Sequence, residues 1–256
     1  MPDRIWSSAG EKHSLSSRAL ACATTLFVSV LGLAGVTLAL AAEPAVVIPA
    51  PALDPAEPPG SSSHTIVLAG GCFWGTQAVY EHVKGITQAF GGYAGGQKTM
   101  AHSDGIGTTE DAKPVEDAES LQVTFDPQQI SLGKILQIYF SVAHNPTELN
   151  YQGPDIGTQY RSEIFYANDE QKRVADAYIE QLNTAHVFAK AIVTKVEVLP
   201  GFNPAAGSDQ DYAVLHPDDP YIVSNDLPKL ANLKRLFPDY YRETPVTALA
   251  SNKPTE

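Results

Sequence analysis

The sequence predicts an α+β domain, and three observations carry that reading. Short β-branched or alternating runs occur at residues 65–69, 86–93, 121–125, 160–166 and 192–199. Between several of them stand stretches whose apolar residues recur at helical spacing. Their order is strand, helix, strand, strand, helix, strand, helix, strand, which departs from a strict βα repeat.

The first strand is the apolar run Thr65-Ile66-Val67-Leu68-Ala69. A helix follows from Phe73 to Lys84, with Trp74/Ala78 and Val79/Val83 as i,i+4 pairs and Gly85 as its stop. Residues 86–93 return as a strand that ends in the glycine-rich stretch 91–96, and 97–117 is polar and irregular. Leu121, Val123 and Phe125 alternate with Gln122, Thr124 and Asp126, so one face of that strand is buried. Ser131 is an N-cap for a helix whose apolar face is Leu132, Ile135, Leu136 and Tyr139, giving way near His144-Asn145-Pro146. Tyr160, Ser162, Ile164 and Tyr166 alternate as a further strand. Asn168 or Asp169 caps a helix with Val174, Ala177, Tyr178 and Leu182 on one face. After the strand at 192–199 the chain reads as loop, apart from a short helix at 227–237.

The ends of the chain differ from its middle. Ala19 to Ala42 carry no charge and close on small residues, and the basic residues Arg4, Lys12 and Arg18 precede them. Residues 1–42 therefore read as a secretory signal peptide, with an uncleaved membrane anchor as the alternative. Residues 43–64 are a proline-rich linker with nothing to bury. The folded domain spans 65–242, and 243–256 form a flexible tail.

Composition narrows the function classes. A formal net charge of −12 over 256 residues speaks against nucleic acid or an anionic membrane surface as the main partner. Two cysteines, Cys22 and Cys72, are too few for a disulfide framework. There is no CxxC, no phosphate-loop spacing, and no ligand-spaced pair among the seven histidines, so no metal or other cofactor is expected.

Gly70-Gly71-Cys72-Phe73-Trp74-Gly75 is the stretch around which the rest is organised. Cys72 falls at a strand-to-helix turn, where unpaired backbone N–H groups favour a thiolate. Phe73 and Trp74 would give the sulfur an apolar wall. Set against this, a free cysteine usually serves as a small buried hydrophobe.

The string Gly71-Cys72-Phe73-Trp74-Gly75 resembles the active-site signature of the peptide methionine sulfoxide reductase A family. Further matching stretches follow in order: Gly91-Gly92-Tyr93-Ala94-Gly95-Gly96, Ala118-Glu119-Ser120, and Gly153-Pro154-Asp155-Ile156-Gly157-Thr158-Gln159-Tyr160-Arg161-Ser162. The resemblance runs from about Thr65 to Tyr241. It implies a two-layer sandwich with a ferredoxin-like core. It also implies thiol-dependent reduction of methionine S-sulfoxide, free or in proteins, through a cysteine sulfenic acid. On the matching positions, Cys72 is the nucleophile and Glu119 the acid that protonates the sulfoxide oxygen. Tyr93 and Tyr160 help hold that oxygen, Phe73 and Trp74 wall the methyl group, and Asp155 is an acid near the cysteine.

The chain departs from the family pattern in places. Asp117 stands where a histidine usually precedes the acid by two residues, and strand periodicity would make it a neighbour of Glu119. Asn145 replaces the aspartate of His-Asp-Pro-Thr. Ala206, Ser208 and Asp209 replace an expected Glu, Tyr and His. The expected partners are oxidised proteins or free methionine sulfoxide and, since the mature domain has one cysteine, an external thioredoxin-like thiol. The signal implies a secreted or periplasmic protein with no stable membrane association once it is cleaved. Two other readings stand beside this one: a thiol peroxidase, and a catalytically weakened domain that binds methionine-containing partners.

Overall fold

A computed structural model describes residues 45–56, 58, 60–96 and 117–251. The expected signal segment, Cys22, the loop containing Glu110 and Glu116, and residues 252–256 lie outside the described residues.

The central element is β1 (His64–Gly70), followed by α1 (Phe73–Glu81), β2 (Ile86–Ala94) and β3 (Ala118–Phe125). Then come α2 (Leu132–Ile138), a π-helical turn (Tyr139–Ala143), and two short paired strands, β4 (Tyr151–Gln152) and β5 (Asp155–Ile156). A 3-10 turn (Thr158–Tyr160) leads into β6 (Ser162–Tyr166), α3 (Asp169–Thr184), β7 (Lys195–Val198) and β8 (Phe202–Pro204). The main sheet runs β7-β6-β1-β3-β2-β8, antiparallel except for the β6–β7 pair. Its four central strands, β6-β1-β3-β2, are the fourth, first, third and second strands of a βαββαβ unit, so the expected ferredoxin-like core is present. The expected strand through Tyr160 begins instead at Ser162, because Tyr160 belongs to the 3-10 turn.

Alternation decides which side chains meet the helices. Ile66 and Leu68 of β1 join Leu121, Val123 and Phe125 of β3 in one core, together with Val79 and Tyr80 of α1, Ile135 and Leu136 of α2, and Val174, Tyr178 and Leu182 of α3. Val67 and Ala69 face the other way and pack with Ala94, Ala118 and Phe165. Each fully buried large apolar side chain contributes roughly 1.5–3 kcal/mol. The Tyr80 hydroxyl also donates to the Ile135 carbonyl at 2.9 Å, joining α1 to the start of α2. Ser131 caps α2 through Lys134 N–H and Asn168 caps α3 through Gln171 N–H.

Both margins of the domain correct the sequence reading. The proline-rich segment does have something to bury: Ile48 is 5% exposed. Its backbone is held by Gln137, Tyr178 and Gln181, and the Asp54 carboxylate accepts the Gly133 N–H at the start of α2. Proline breaks secondary structure, but it does not prevent an extended chain from packing. At the other end Val246 N–H donates to the Glu81 carbonyl, and Asp211 accepts from Ala248 and Leu249 at the start of α6 (Ala248–Ser251). The described part of the expected tail is therefore docked. The stretch read as loop after 199 also holds β8, a 3-10 turn (Gly207–Asp209), α4 (Tyr212–Leu215) and a second π-helical turn (Ile222–Asp226), and the expected short helix is present as α5 (Leu227–Leu236).

Candidate active site

Cys72 is the N-cap residue of α1, reached from β1 through Gly71, whose φ of +86° is a left-handed conformation that glycine adopts without strain. A Cβ on Gly71 would also lie 2.7 Å from Gln152 Cβ, so the turn closes against β4 only with glycine there. Cys72 is half-buried and free. Burial pushes its thiol up, and the charges on Glu119 and Asp226 push the same way; the Trp74 backbone N–H and Lys229 pull it down and are outweighed. The helix N-terminus expected to favour a thiolate is in place, with burial and two carboxylates acting against it.

Glu119 lies on β3 directly opposite Tyr93 of β2 and is 9% exposed. Its Oε2 accepts the backbone N–H of Phe73, the residue after Cys72, at 3.2 Å. Burial raises its carboxyl to about 7, with the Phe73 N–H opposing and the charges of Asp155 and Asp209 adding. At neutral pH a large fraction of Glu119 is therefore a neutral carboxylic acid able to give up a proton.

The remaining expected residues gather here too. Tyr160 is pushed up to about 12 by burial first, then by Glu119, Asp155 and Cys72, so its hydroxyl stays protonated and can donate. Tyr93 is raised by burial, then by Glu119, Asp209 and Cys72. The Phe73 ring is buried edge-on to Tyr93 with centroids 6.0 Å apart. Asp155 on β5 accepts a hydrogen bond from the Tyr221 hydroxyl.

Trp74 is half-buried, and its wall is larger than the sequence showed. Tyr212 stacks on it at 3.9 Å and 14°, and Tyr221 meets it edge-on at 6.0 Å. Both tyrosines come from the stretch read as loop; nothing in their local spacing marks them, and only the fold brings them back to residue 74.

The departures from the family pattern separate by position. Asp117 does not face Glu119: its Oδ1 accepts the Gly96 N–H at 2.5 Å, closing the base of the β2–β3 connection. The expected Asp117–Glu119 carboxylate pair is thus corrected, and the charges that act on Glu119 are Asp155 and Asp209. Asn145 caps its own turn, accepting from Thr147 N–H at 3.1 Å and Thr147 Oγ1 at 2.8 Å. Ala206 and Ser208 are exposed, whereas Asp209 is half-buried and its charge acts on Glu119.

A thiol beside a neutral carboxylic acid and a slot of aromatic rings suits a thiol-dependent reductase, one that removes an oxygen atom it must first protonate. Within that class, this chain belongs to the peptide methionine sulfoxide reductase family, whose sequence profile (PMSR: Peptide methionine sulfoxide reductase) matches residues 64–240. Peptide methionine sulfoxide reductase MsrA 2 of Mesorhizobium japonicum is 50% identical over 200 residues, 78% of this chain and 100% of that protein, so the likeness spans a whole relative. MsrA 2 of Synechocystis sp. is 41% identical over 198 residues, 75% of this chain and 89% of that one. Among solved structures, reduced Mxr1 from Saccharomyces cerevisiae superposes with a TM-score of 0.51 at 30% identity, covering 63% of this chain and 90% of that one.

Proposed function

We propose that this chain reduces methionine S-sulfoxide, free or in oxidised proteins, with Cys72 as nucleophile and Glu119 as general acid. The observation that carries the reading is the Glu119–Phe73 contact, which sets a carboxyl raised to about 7 one residue from the sulfur. Trp74, Tyr212 and Tyr221 supply an aromatic wall for the S-methyl group, and Phe73 backs the site beside Tyr93. Tyr93 and Tyr160 offer hydroxyl donors to the sulfoxide oxygen.

In the reaction, the Cys72 sulfur attacks the sulfoxide sulfur while Glu119 delivers its proton to the oxygen. The S–O bond then breaks, the thioether leaves, and the hydroxyl ends on Cys72 as a sulfenic acid. The proton lost by the thiol replaces the one given by Glu119, so thiol plus sulfoxide yields sulfenic acid plus thioether. Cys72 is the free cysteine among the described residues. An external thiol, of the thioredoxin-like kind, therefore condenses with the sulfenic acid and releases water. A second thiol then frees Cys72 as the external disulfide forms.

The apolar segment from Ala19 to Ala42 supports a secreted or periplasmic site of action, which cell fractionation with an antibody to the domain tests. The reaction is tested by turnover of the two methionine sulfoxide epimers and of hydrogen peroxide by the purified protein, with Cys72→Ser beside it. The S epimer alone should be reduced at an appreciable rate. Faster turnover of peroxide than of either epimer would contradict the proposal.

A further inference from the structure

Two buried glutamines meet beneath the site. Gln77 lies on α1 one turn after Phe73 and is 0% exposed; Gln210 comes from the C-terminal segment and is 4% exposed. Gln210 Oε1 accepts the Gly91 N–H at 2.9 Å, and its Nε2 donates to the Gly91 carbonyl at 2.8 Å. Its amide thus pairs with Gly91 as a neighbouring strand residue would, one step beyond the β2–β8 ladder that covers Gly92 to Ala94. Gln77 Nε2 donates to the Ala89 carbonyl and to Gln210 Oε1, each at 3.0 Å, while Gln77 Oε1 accepts the Asp211 N–H at 3.0 Å. Backbone N–H groups can only donate and carbonyls only accept, so the chain itself fixes which end of each amide points where.

Both ends of this network lead to the aromatic slot. Gly91 carries the Phe73 ring: a Cβ there would lie 2.4 Å from Phe73 Cδ2. Asp211 immediately precedes Tyr212, the ring stacked on Trp74. Asp211 has a φ of +57°, a left-handed conformation at a residue with a side chain, which persists where its surroundings hold it. Gln77 holds its N–H, and the start of α6 holds its carboxylate. The bend at Asp211 sets the direction in which α4, and with it Tyr212, leaves.

Two apolar side chains of the same shape could fill this space at little cost, so what the amides add is direction. We propose that Gln77 and Gln210 are positioning residues for the substrate slot: through Asp211 they seat Tyr212 on Trp74, and through Gly91 they hold the floor beneath Phe73. The inference rests on the reading of Trp74 and Phe73 as the surroundings of the S-methyl group.

The test uses the full chain carrying Trp6→Phe, which leaves Trp74 as its single tryptophan. This protein is compared with the same chain carrying Gln77→Met, Tyr212→Ala or both, each well below its Tm. Three quantities are read: acrylamide quenching of Trp74 fluorescence, KM and kcat for methionine S-sulfoxide, and the rate at which iodoacetamide alkylates Cys72. Gln77→Met should raise the quenching and raise KM about two- to tenfold, the range that follows from unseating an aromatic pair. Alkylation, which needs no slot, should change little, and kcat should be kept, as expected when binding alone is weakened. Tyr212→Ala should show the same pattern, and the double variant should be no worse than Tyr212→Ala, because both changes act through one contact. If Gln77→Met does not fold, Gln77→Asn, which keeps an amide but shortens its reach, takes its place with the same expectations. A lowered Tm with quenching and KM as in the parent chain would overturn the proposal by making the pair a support of the fold alone. Losses that add in the double variant would overturn it by showing that Gln77 acts elsewhere. Reduction of the S epimer by the parent chain tests the underlying reading separately, since the quenching of Trp74 is read without turnover.

Discussion

The carboxylate of Glu119 accepts the backbone N–H of Phe73 at 3.2 Å, tying the acid of β3 to the first residue of the helix that Cys72 caps. Glu119→Gln keeps this shape and loses the proton, so turnover should fall by about 10²–10⁴-fold with thermal stability preserved. Since Glu119 is raised to about 7, the wild-type rate should decline as pH rises through that value, and the declining limb should be missing in the variant. Near-full activity of Glu119→Gln across pH would remove its role as acid.

Asp209 stands where the family pattern has a histidine, and its charge is one of those that hold Glu119 up. Asp209→Asn should shift the declining limb of the rate profile to lower pH, because losing a nearby negative charge makes the carboxyl easier to ionise. Asp117→Asn should leave the limb in place, since that carboxylate is engaged with the Gly96 N–H. Identical profiles for Asp209→Asn and wild type would place Asp209 outside the site's electrostatics.

Trp74 is pinned between two tyrosines from the C-terminal segment. Tyr212→Ala removes the stacked partner, worth about 0.5–1.5 kcal/mol beyond burial, and frees the indole. Sulfoxide kcat/KM should drop several-fold in Tyr212→Ala and further in Trp74→Ala, while alkylation of Cys72 by a small reagent changes little. Equal losses in both reactions would make the aromatic stack a support of the fold alone.

How much of this was legible in the sequence follows from range. Strand alternation at Leu121, Val123 and Phe125 and the caps at Ser131 and Asn168 are local signals, and the structure has them where expected. Cys72, Glu119, Tyr93, Tyr160 and Asp155 came with the matching motifs, and the fold gathers them. Tyr212, Tyr221 and Asp226 were not legible, because they reach Trp74 and Gly75 only through tertiary packing of a segment with little periodicity. The influences on the Cys72 thiol divide the same way: a helix N-terminus can be seen in sequence, but burial beside Glu119 and Asp226 cannot.

Glu81 shows the same burial effect away from the site. It is 0% exposed, and burial, followed by the hydrogen bond and charge of Asp211, raises it to about 10. The folded state thus holds this proton more tightly than the unfolded chain does. That contribution is fully present below the ordinary carboxyl value of 4.5 and is lost as pH rises toward about 10. Glu81→Gln needs no proton, so its Tm relative to wild type should be higher at about pH 9 than at about pH 5, by several degrees at ~2–4 °C per kcal/mol. A pH-independent difference would contradict a buried, protonated Glu81.

The most direct measurement is mass spectrometry of the protein after a single turnover of methionine S-sulfoxide without reductant, with a sulfenic-acid trap present. The expected result is one methionine released per protein molecule and one trapped adduct, located at Cys72 and absent in Cys72→Ser. Methionine formed with Cys72 unmodified, or formed equally by Cys72→Ser, would contradict the account.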